Sequence, residues 1–318
     1  MKQLWKIIGL VAVVGVVFIG IGLALGANTG GLYWSRDGGL SVGSRNLSHV
    51  HYTNLQEFNN ISINVSSTDV RVVHANYFGF EANYRDNSNF RYSFENGNLT
   101  ITQDGFNSSQ VNIMGFGNSE REEIIISLPR NALLDDVELQ VTSGRITIDQ
   151  LDCVNLTATL SFGNATVNNL TAQSAVIHTT SGRVRLENTT VAGQLEMRAS
   201  SGNIHITNTI AEDFEIRTTS GRIDGTGIVA NGLNAVVGSG NIALTGILNG
   251  NTTARTTSGS VRLNVAGSES NYNVSTSVTS GTVRINSERD RSSIINNNAA
   301  NHIDVHTHSG NIYIDFSS

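Results

Sequence analysis

Hydrophobic and polar residues alternate along most of this chain, and from residue 137 onward the alternation is phased to a recurring glycine. VTSGRI (141–146), LSFGNA (160–165), TTSGRV (179–184), ASSGNI (199–204), TTSGRI (218–223), VGSGNI (237–242), TTSGSV (256–261), VTSGTV (278–283) and THSGNI (307–312) carry these glycines at spacings of 19, 19, 20, 19, 19, 19, 22 and 29. Two residues after them stand Ile146, Ala165, Val184, Ile204, Ile223, Ile242, Val261, Val283 and Ile312. Five residues before the first seven stand Leu139, Ala158, Ile177, Met197, Ile216, Ala235 and Ala254, with polar residues between. A period of two marks strands with one buried face. Each repeat therefore reads as two short strands joined at a Ser-Gly corner, with a second turn about seven residues on. Glycine suits the corner because it accepts positive φ without a Cβ penalty.

A unit of about 19 residues cannot bury its inner face alone. Parallel stacking at about 4.8 Å per rung lines the aliphatic residues into continuous inner columns, and nine rungs make a rod roughly 40 Å long. The pattern predicts an all-β fold, a single-stranded parallel β-solenoid of about 19-residue rungs over 137–318. An antiparallel sandwich is the alternative, but it does not need one corner dipeptide at a fixed phase for nine turns. Residues 50–136 fit less cleanly: ISINVSSTDVRVV (61–73), LTIT (99–102) and EIIISL (123–128) read as strands of irregular rungs and an N-terminal cap. The polar run 286–301 reads as an exposed loop, and NIYIDFSS (311–318) is expected to close the stack.

The first thirty residues have a different pattern. Lys2 and Lys6 precede 21 uncharged residues, 7–27, and about 20 apolar residues span a bilayer as a helix. The expectation is one N-terminal transmembrane helix, with residues 1–6 cytoplasmic by the positive-inside bias and the rest outside as a single-pass cell-membrane protein. A signal peptide cleaved after Leu25-Gly26-Ala27 is the rival reading, although such apolar regions usually run about 7–15 residues. Residues 28–49, rich in glycine, read as a tether.

Composition narrows the function classes. Net charge is −6, so no basic surplus exists to displace counterions from nucleic acid. One cysteine, Cys153, excludes an intrachain disulfide and a cysteine-built zinc site. No dinucleotide fingerprint, phosphate loop or nucleophile elbow is present, and no cofactor is expected. The outward acids Asp149, Asp152, Glu187, Asp213 and Asp224 are scattered over different phases, unlike the grouped carboxylates of a glycan-active β-helix enzyme.

The run IIISLP (124–129), then VELQVTSGRITI (137–148), then serial TSG-x-I/V-x-I units behind an apolar N-terminal segment, resembles the bacterial putative-adhesin family, often called LiaG-like. The resemblance covers about residues 50–318. It implies a surface-exposed β-solenoid, with adhesion suggested and envelope stress an association, and it carries over no catalytic residue. Phe162 in place of a corner serine, Gly225 in a core column and the long final insertion depart from the pattern.

Two constellations are candidates for chemistry. His302, Asp304, His306 and His308 alternate with the inward Ile303, Val305 and Thr307, so imidazoles and a carboxylate share one strand face and could hold a divalent metal. Arg145, Arg183 and Arg222 follow corner glycines directly, while Arg185, Arg262 and Arg284 stand three residues after them. Guanidinium groups on a flat wall suit anionic polymer, through bidentate contacts to phosphate. The plainer reading of both sets is a solvated face that keeps sheets apart. The function expected is non-enzymatic: adhesin-like binding of cell-wall polymer, glycan or a protein partner through the repeated polar wall. The alternatives are an accessory protein touching a membrane sensor of an envelope-stress system, and a glycan-active enzyme.

Overall fold

The computed structural model describes residues 15, 32–35, 39–42, 47–85, 88–104, 110–114, 121–289 and 294–317. Apart from Gly15, the expected membrane helix over 7–27 lies outside the described residues, and so does the 1–6 segment. Among the described residues no helix is long and apolar enough to cross a membrane. The stretch read as a tether contains strands: Leu32–Ser35 pairs antiparallel with Gly39–Val42 and with Gln110–Met114.

The rest is all-β, a stack of parallel rungs as a β-solenoid requires. Leu133–Ile148 pairs in parallel with Leu151–Asn168, placing Leu139 on Ala158, Gly144 on Gly163 and Ile146 on Ala165. Ile204–Ser220 continues the register onto Ile223–Ser239, with Ile216 on Ala235. Ile146, Val184, Ile204 and Ile223 are all fully buried. Each rung has three straight segments rather than the two expected. Along Ile204–Ser220 the buried residues are 204 and 206, then 209 and 211, then 214, 216 and 218, so the alternation skips twice. Each skip is a bend. At the first of them Asn169, Asn188 and Asn208 take φ of 51°, 51° and 48°, a left-handed conformation that asparagine tolerates better than most residues. At Gly225 the inner column lacks a side chain, and the space is filled by Ile228 and Leu244.

At the Ser-Gly corners the glycines stack directly. Gly182 N–H donates to Ser201 O at 3.1 Å and Gly202 N–H to Ser220 O at 2.9 Å. The corner φ values are positive, 149° at Gly182 and 153° at Gly221. A Cβ added at any of these positions would overlap the carbonyl oxygen stacked on it, from Gly163 against Gly182 to Gly202 against Gly221. Conformation and stacking both exclude every other residue.

The rungs do not stack in chain order. Gly259 N–H donates to Ser309 O, and Gly310 N–H to Ser280 O, both at 2.9 Å. Asn301–Ser309 lies between Ile242–Ser258 and Tyr272–Ser280, with Ser309 in register with both Ser258 and Ser280. Ile312–Ser317 likewise lies between Val261–Ala266 and Val283–Ile285. The last rung in sequence is therefore the penultimate rung in space, and NIYIDFSS does not close the stack. The polar run after residue 285, read as an exposed loop, is the return path that makes this possible. The amino-terminal end does the same. Asn60–Val65 and Asp69–Ala75 lie directly against Leu133–Ile148, while the later Asn98–Gln103 and Glu123–Pro129 form the rung outside them. Antiparallel strands Phe90–Glu95, Gly79–Arg85 and Leu47–Tyr52 then cover that end. Such covering protects backbone groups that would otherwise template another sheet. Among the described residues the stack amounts to about eleven parallel rungs, a rod of about 48 Å at the usual strand spacing.

One side-chain column explains how the order is specified. The residue after the corner is Asx on every second rung, and its Oδ1 accepts the amide of the rung above. Asp69 takes Arg145 N–H at 2.9 Å, Asn164 takes Arg183 at 2.9 Å, and Asn203 takes Arg222 at 3.0 Å. Asn241 takes Ser260 at 2.8 Å and Asn311 takes Thr282 at 3.0 Å. The rhythm holds only because the 60–75 rung lies below Arg145 and the 301–317 rung lies above Ser260. In chain order it breaks at both ends.

Candidate functional site

The corners divide the outer surface into faces, and the face before the corner carries the most ordered charge. His178, Arg198, Arg217, Val236, Arg255 and His306 occupy one outward column on successive rungs. Glu196, Glu215, Asn234, Thr253 and Asp304 form the column beside it. Like charges directly across neighbouring strands repel, and here each is offset by a partner two residues away or on an adjacent rung. Arg198 Nε lies 2.7 Å from Glu196 Oε1, Arg217 donates to Glu215, and Arg255 Nη2 lies 2.7 Å from Asp304 Oδ2. His178 Nε2 is 2.6 Å from Glu196 Oε1. Between this column and the corner lies a shallow groove of about 600 Å³, lined by His178, Thr180, Arg198, Ser200, Arg217 and Thr219 among others. The regular Arg-Glu spacing at i, i+2 is visible in the sequence. The groove is not, because it depends on which small residues stack beside the arginines.

The sequence-predicted arginines separate into three groups. Arg145 is held by Asp69, with Nη2 at 2.7 Å and Nε at 3.1 Å from Oδ2, and that hydrogen bond raises its pKa. Arg185 Nη1 is 3.0 Å from Glu187 Oε1, and Arg222 Nε is 2.6 Å from Asp224 Oδ1. These three are structural ion pairs on an exposed surface, each worth little to stability. Arg183 supplies its backbone amide to the Asx column. Arg262 and Arg284 behave differently. They are exposed, among the described residues neither forms an ion pair, and they lie on either side of Tyr313. The guanidinium carbons stand 4.9 Å and 5.9 Å from the Tyr313 ring centroid. Chain-order stacking would put the two arginines on adjacent rungs; the inserted rung separates them with an aromatic ring that attracts both.

The His302, Asp304, His306 and His308 set does alternate outward on the face before the corner, with Ile303, Val305 and Thr307 buried. It does not converge. Asp304 is engaged by Arg255, and His302 Nδ1 lies 3.4 Å from Asn273 Nδ2. Among the described residues no group of three or more His, Cys, Asp or Glu is placed to hold a metal ion. A straight strand spaces same-face residues by about 6.7 Å, and only a bend would bring three of them together.

Cys153 is buried, and burial pushes its thiol up to about 12, which removes the thiolate that nucleophilic chemistry needs. Three of the five carboxylates considered for glycan chemistry are occupied as well: Asp149 by Arg71 at 3.7 Å, Glu187 by Arg185 and Asp224 by Arg222. A buried polar network at the amino-terminal corner has no counterpart in the sequence pattern: Thr68 donates to Gln103, Gln103 Nε2 donates to Glu122 Oε2 at 2.5 Å, and Arg85 Nε meets Glu122 Oε1 at 2.5 Å. Glu122 is 5% exposed, and the network lies at the corner where Thr68, not a glycine, stacks against Gly144.

The Toastrack DUF4097 family profile matches residues 58–315. Among solved structures, a putative adhesin from Bacteroides fragilis is 14% identical, covering 86% of this chain and 98% of that chain at a TM-score of 0.43. A putative lipid binding protein from Parabacteroides distasonis is 12% identical, covering 87% of this chain and 98% of that chain at a TM-score of 0.45. A putative adhesin from Parabacteroides merdae is 13% identical over 87% and 98%, at a TM-score of 0.39. No protein of curated function matches the chain.

Proposed function

The chain belongs to the Toastrack DUF4097 family, and from that premise we propose that it is a non-enzymatic, extracytoplasmic surface protein that binds an extended polymer along its polar wall. Residues 7–27 hold it to the cell membrane as a single pass, with residues 1–6 inside. The observation that carries the reading is the outward column His178, Arg198 and Arg217 on three consecutive rungs, beside a groove floored by threonine and serine. The rungs repeat at about 4.8 Å, so a polymer with repeating polar groups meets the same donors several times. Each contact is weak alone. Their sum along a rigid rod raises avidity without any deep pocket. Ion pairing to Glu196 and Glu215 keeps the guanidinium groups in place, which lowers the ordering cost on binding. Glu196 and Glu215 stand in register on adjacent rungs, but each is tied to the arginine two residues on, which supports binding rather than hydrolysis.

The test is retention of the full chain in detergent on immobilised anionic wall polymer and on a neutral glycan. Retention on the anionic polymer is expected, falling steeply as salt rises from about 0.05 to 0.5 M because exposed charge contacts are screened. Absence of retention on the polymer at low salt, with co-purification of a membrane sensor protein instead, would overturn the reading.

A further inference from the structure

We infer that Arg262, Tyr313 and Arg284 form a clamp for the phosphodiester groups of an anionic polymer. The proposal rests on the reading of the chain as an outward-facing polymer binder, and it names the residues and the ligand chemistry of one site on the neighbouring face, after the corner. Three observations converge. The two arginines lie on alternate rungs of one face, with Tyr313 in register with both. Among the described residues neither has a carboxylate partner, whereas Arg145, Arg185, Arg198, Arg217, Arg222 and Arg255 all do. In a chain of net charge −6, an unneutralised pair of this kind is conspicuous. The ring also holds both guanidinium carbons within 6 Å of its centroid. Guanidinium groups drawn to one ring share a common locality, and their unused N–H donors are free for a planar two-point contact with an oxyanion. The Tyr313 hydroxyl supplies a third donor between them. The flanking Asn264 and Asn286 are already engaged, Asn264 Nδ2 with Thr245 Oγ1 and Asn286 with Glu269 and the Phe316 amide, so the contact to the polymer rests on the two guanidinium groups and the Tyr313 hydroxyl.

The clamp exists only because the chain's last rung is inserted between two earlier ones. Its place in the stack also selects the source of the phosphate. The three rungs involved are at the far end from the amino-terminal cap, about 40 Å along the rod by rung spacing. Phospholipid headgroups next to an anchor at residues 7–27 are therefore the less favoured source, and a polymer outside the membrane the favoured one.

The experiment uses the full chain in neutral phosphatidylcholine nanodiscs, titrated by calorimetry with a poly(glycerol phosphate) oligomer. Arg262→Gln with Arg284→Gln is expected to weaken binding at least about tenfold, because two charge-assisted contacts are lost. Tyr313→Phe, which keeps the ring, is expected to weaken it about threefold, the scale of one neutral hydrogen bond. Inorganic phosphate competes for the same site. Unchanged affinity in the double arginine variant, with loss in Arg198→Gln/Arg217→Gln instead, overturns the clamp while leaving polymer binding intact. No binding of the oligomer by the native protein overturns both. Competition from phosphatidylglycerol nanodiscs that abolishes oligomer binding assigns the site to lipid and overturns the polymer source.

Discussion

Replacing Gly202 by alanine is expected to cost at least about 4 kcal/mol, enough to unfold a protein of ordinary stability. Two penalties combine. The residue sits at φ 158°, and an added Cβ would be driven into the carbonyl of Gly182 one rung below. Neither neighbour can retreat, because the Gly202 N–H is bonded to Ser220 O and the Gly182 N–H to Ser201 O. Gly97→Ala separates the two penalties. Gly97 also has positive φ, 74°, but an added Cβ there has nothing within 4 Å. It belongs to the Asn96-Gly97 turn between Phe90–Glu95 and Asn98–Gln103, and its replacement is expected to cost only about 1–2 kcal/mol. Urea unfolding of the two variants measures the difference. Equal, small losses would mean that the corner glycines are not stacked.

Ending the chain at Ala300 is the second large change. It removes Ile303, Val305, Ile312 and Ile314, each no more than 1% exposed. Four such side chains contribute roughly 6–12 kcal/mol by burial. The consequence reaches further than a lost terminal rung. Residues 272–285 would lose their only parallel neighbour among the described residues, and dropping down one step would set Arg284 against Arg262 with no ring between them. Hydrogen exchange at Val274, Thr276 and Val283 is therefore expected to accelerate to near the unfolded rate, while rungs in the middle of the rod, such as Val184–Ser201, stay protected. Protection at 272–285 that survives the truncation would contradict the interleaved order.

The inner columns were legible because burial acts on every rung alike: a period of two with aliphatic residues at fixed offsets from glycine leaves one way in. The bends were partly hidden. Asn169, Asn188 and Asn208 recur at the same offset, but without the left-handed backbone an asparagine is only another polar residue. The stacking order was hidden from hydrophobicity altogether, since Val261 accepts Ile312 or Val283 above it equally well. The signal lay in polar residues. Asn164, Asn203, Asn241 and Asn311 alternate with Arg183, Arg222, Ser260 and Thr282 only when the last rung is moved down by one. The same move separates Arg262 from Arg284, which the sequence placed on adjacent rungs, and brings Asp304 to Arg255. The histidine series illustrates the opposite limit. Its outward phase was readable, but an alternating strand spreads its side chains along the rod, and a metal site needs them gathered.

The interleaved stack is what creates the Arg262–Tyr313–Arg284 face, and cysteine cross-linking reads it directly. Ser258, Ser309 and Ser280 are exposed and occupy one column, with Ser309 in register with both of the others. Neighbouring rungs place such residues about 4.8 Å apart, within disulfide range, and alternate rungs about 9.6 Å apart, outside it. The buried Cys153, its thiol raised to about 12, does not compete. Under mild oxidation the Ser258→Cys/Ser309→Cys and Ser309→Cys/Ser280→Cys pairs are expected to close, and Ser258→Cys/Ser280→Cys to stay reduced. A rapid bridge between positions 258 and 280, with none between 258 and 309, would show rungs stacked in chain order and remove the basis for the clamp.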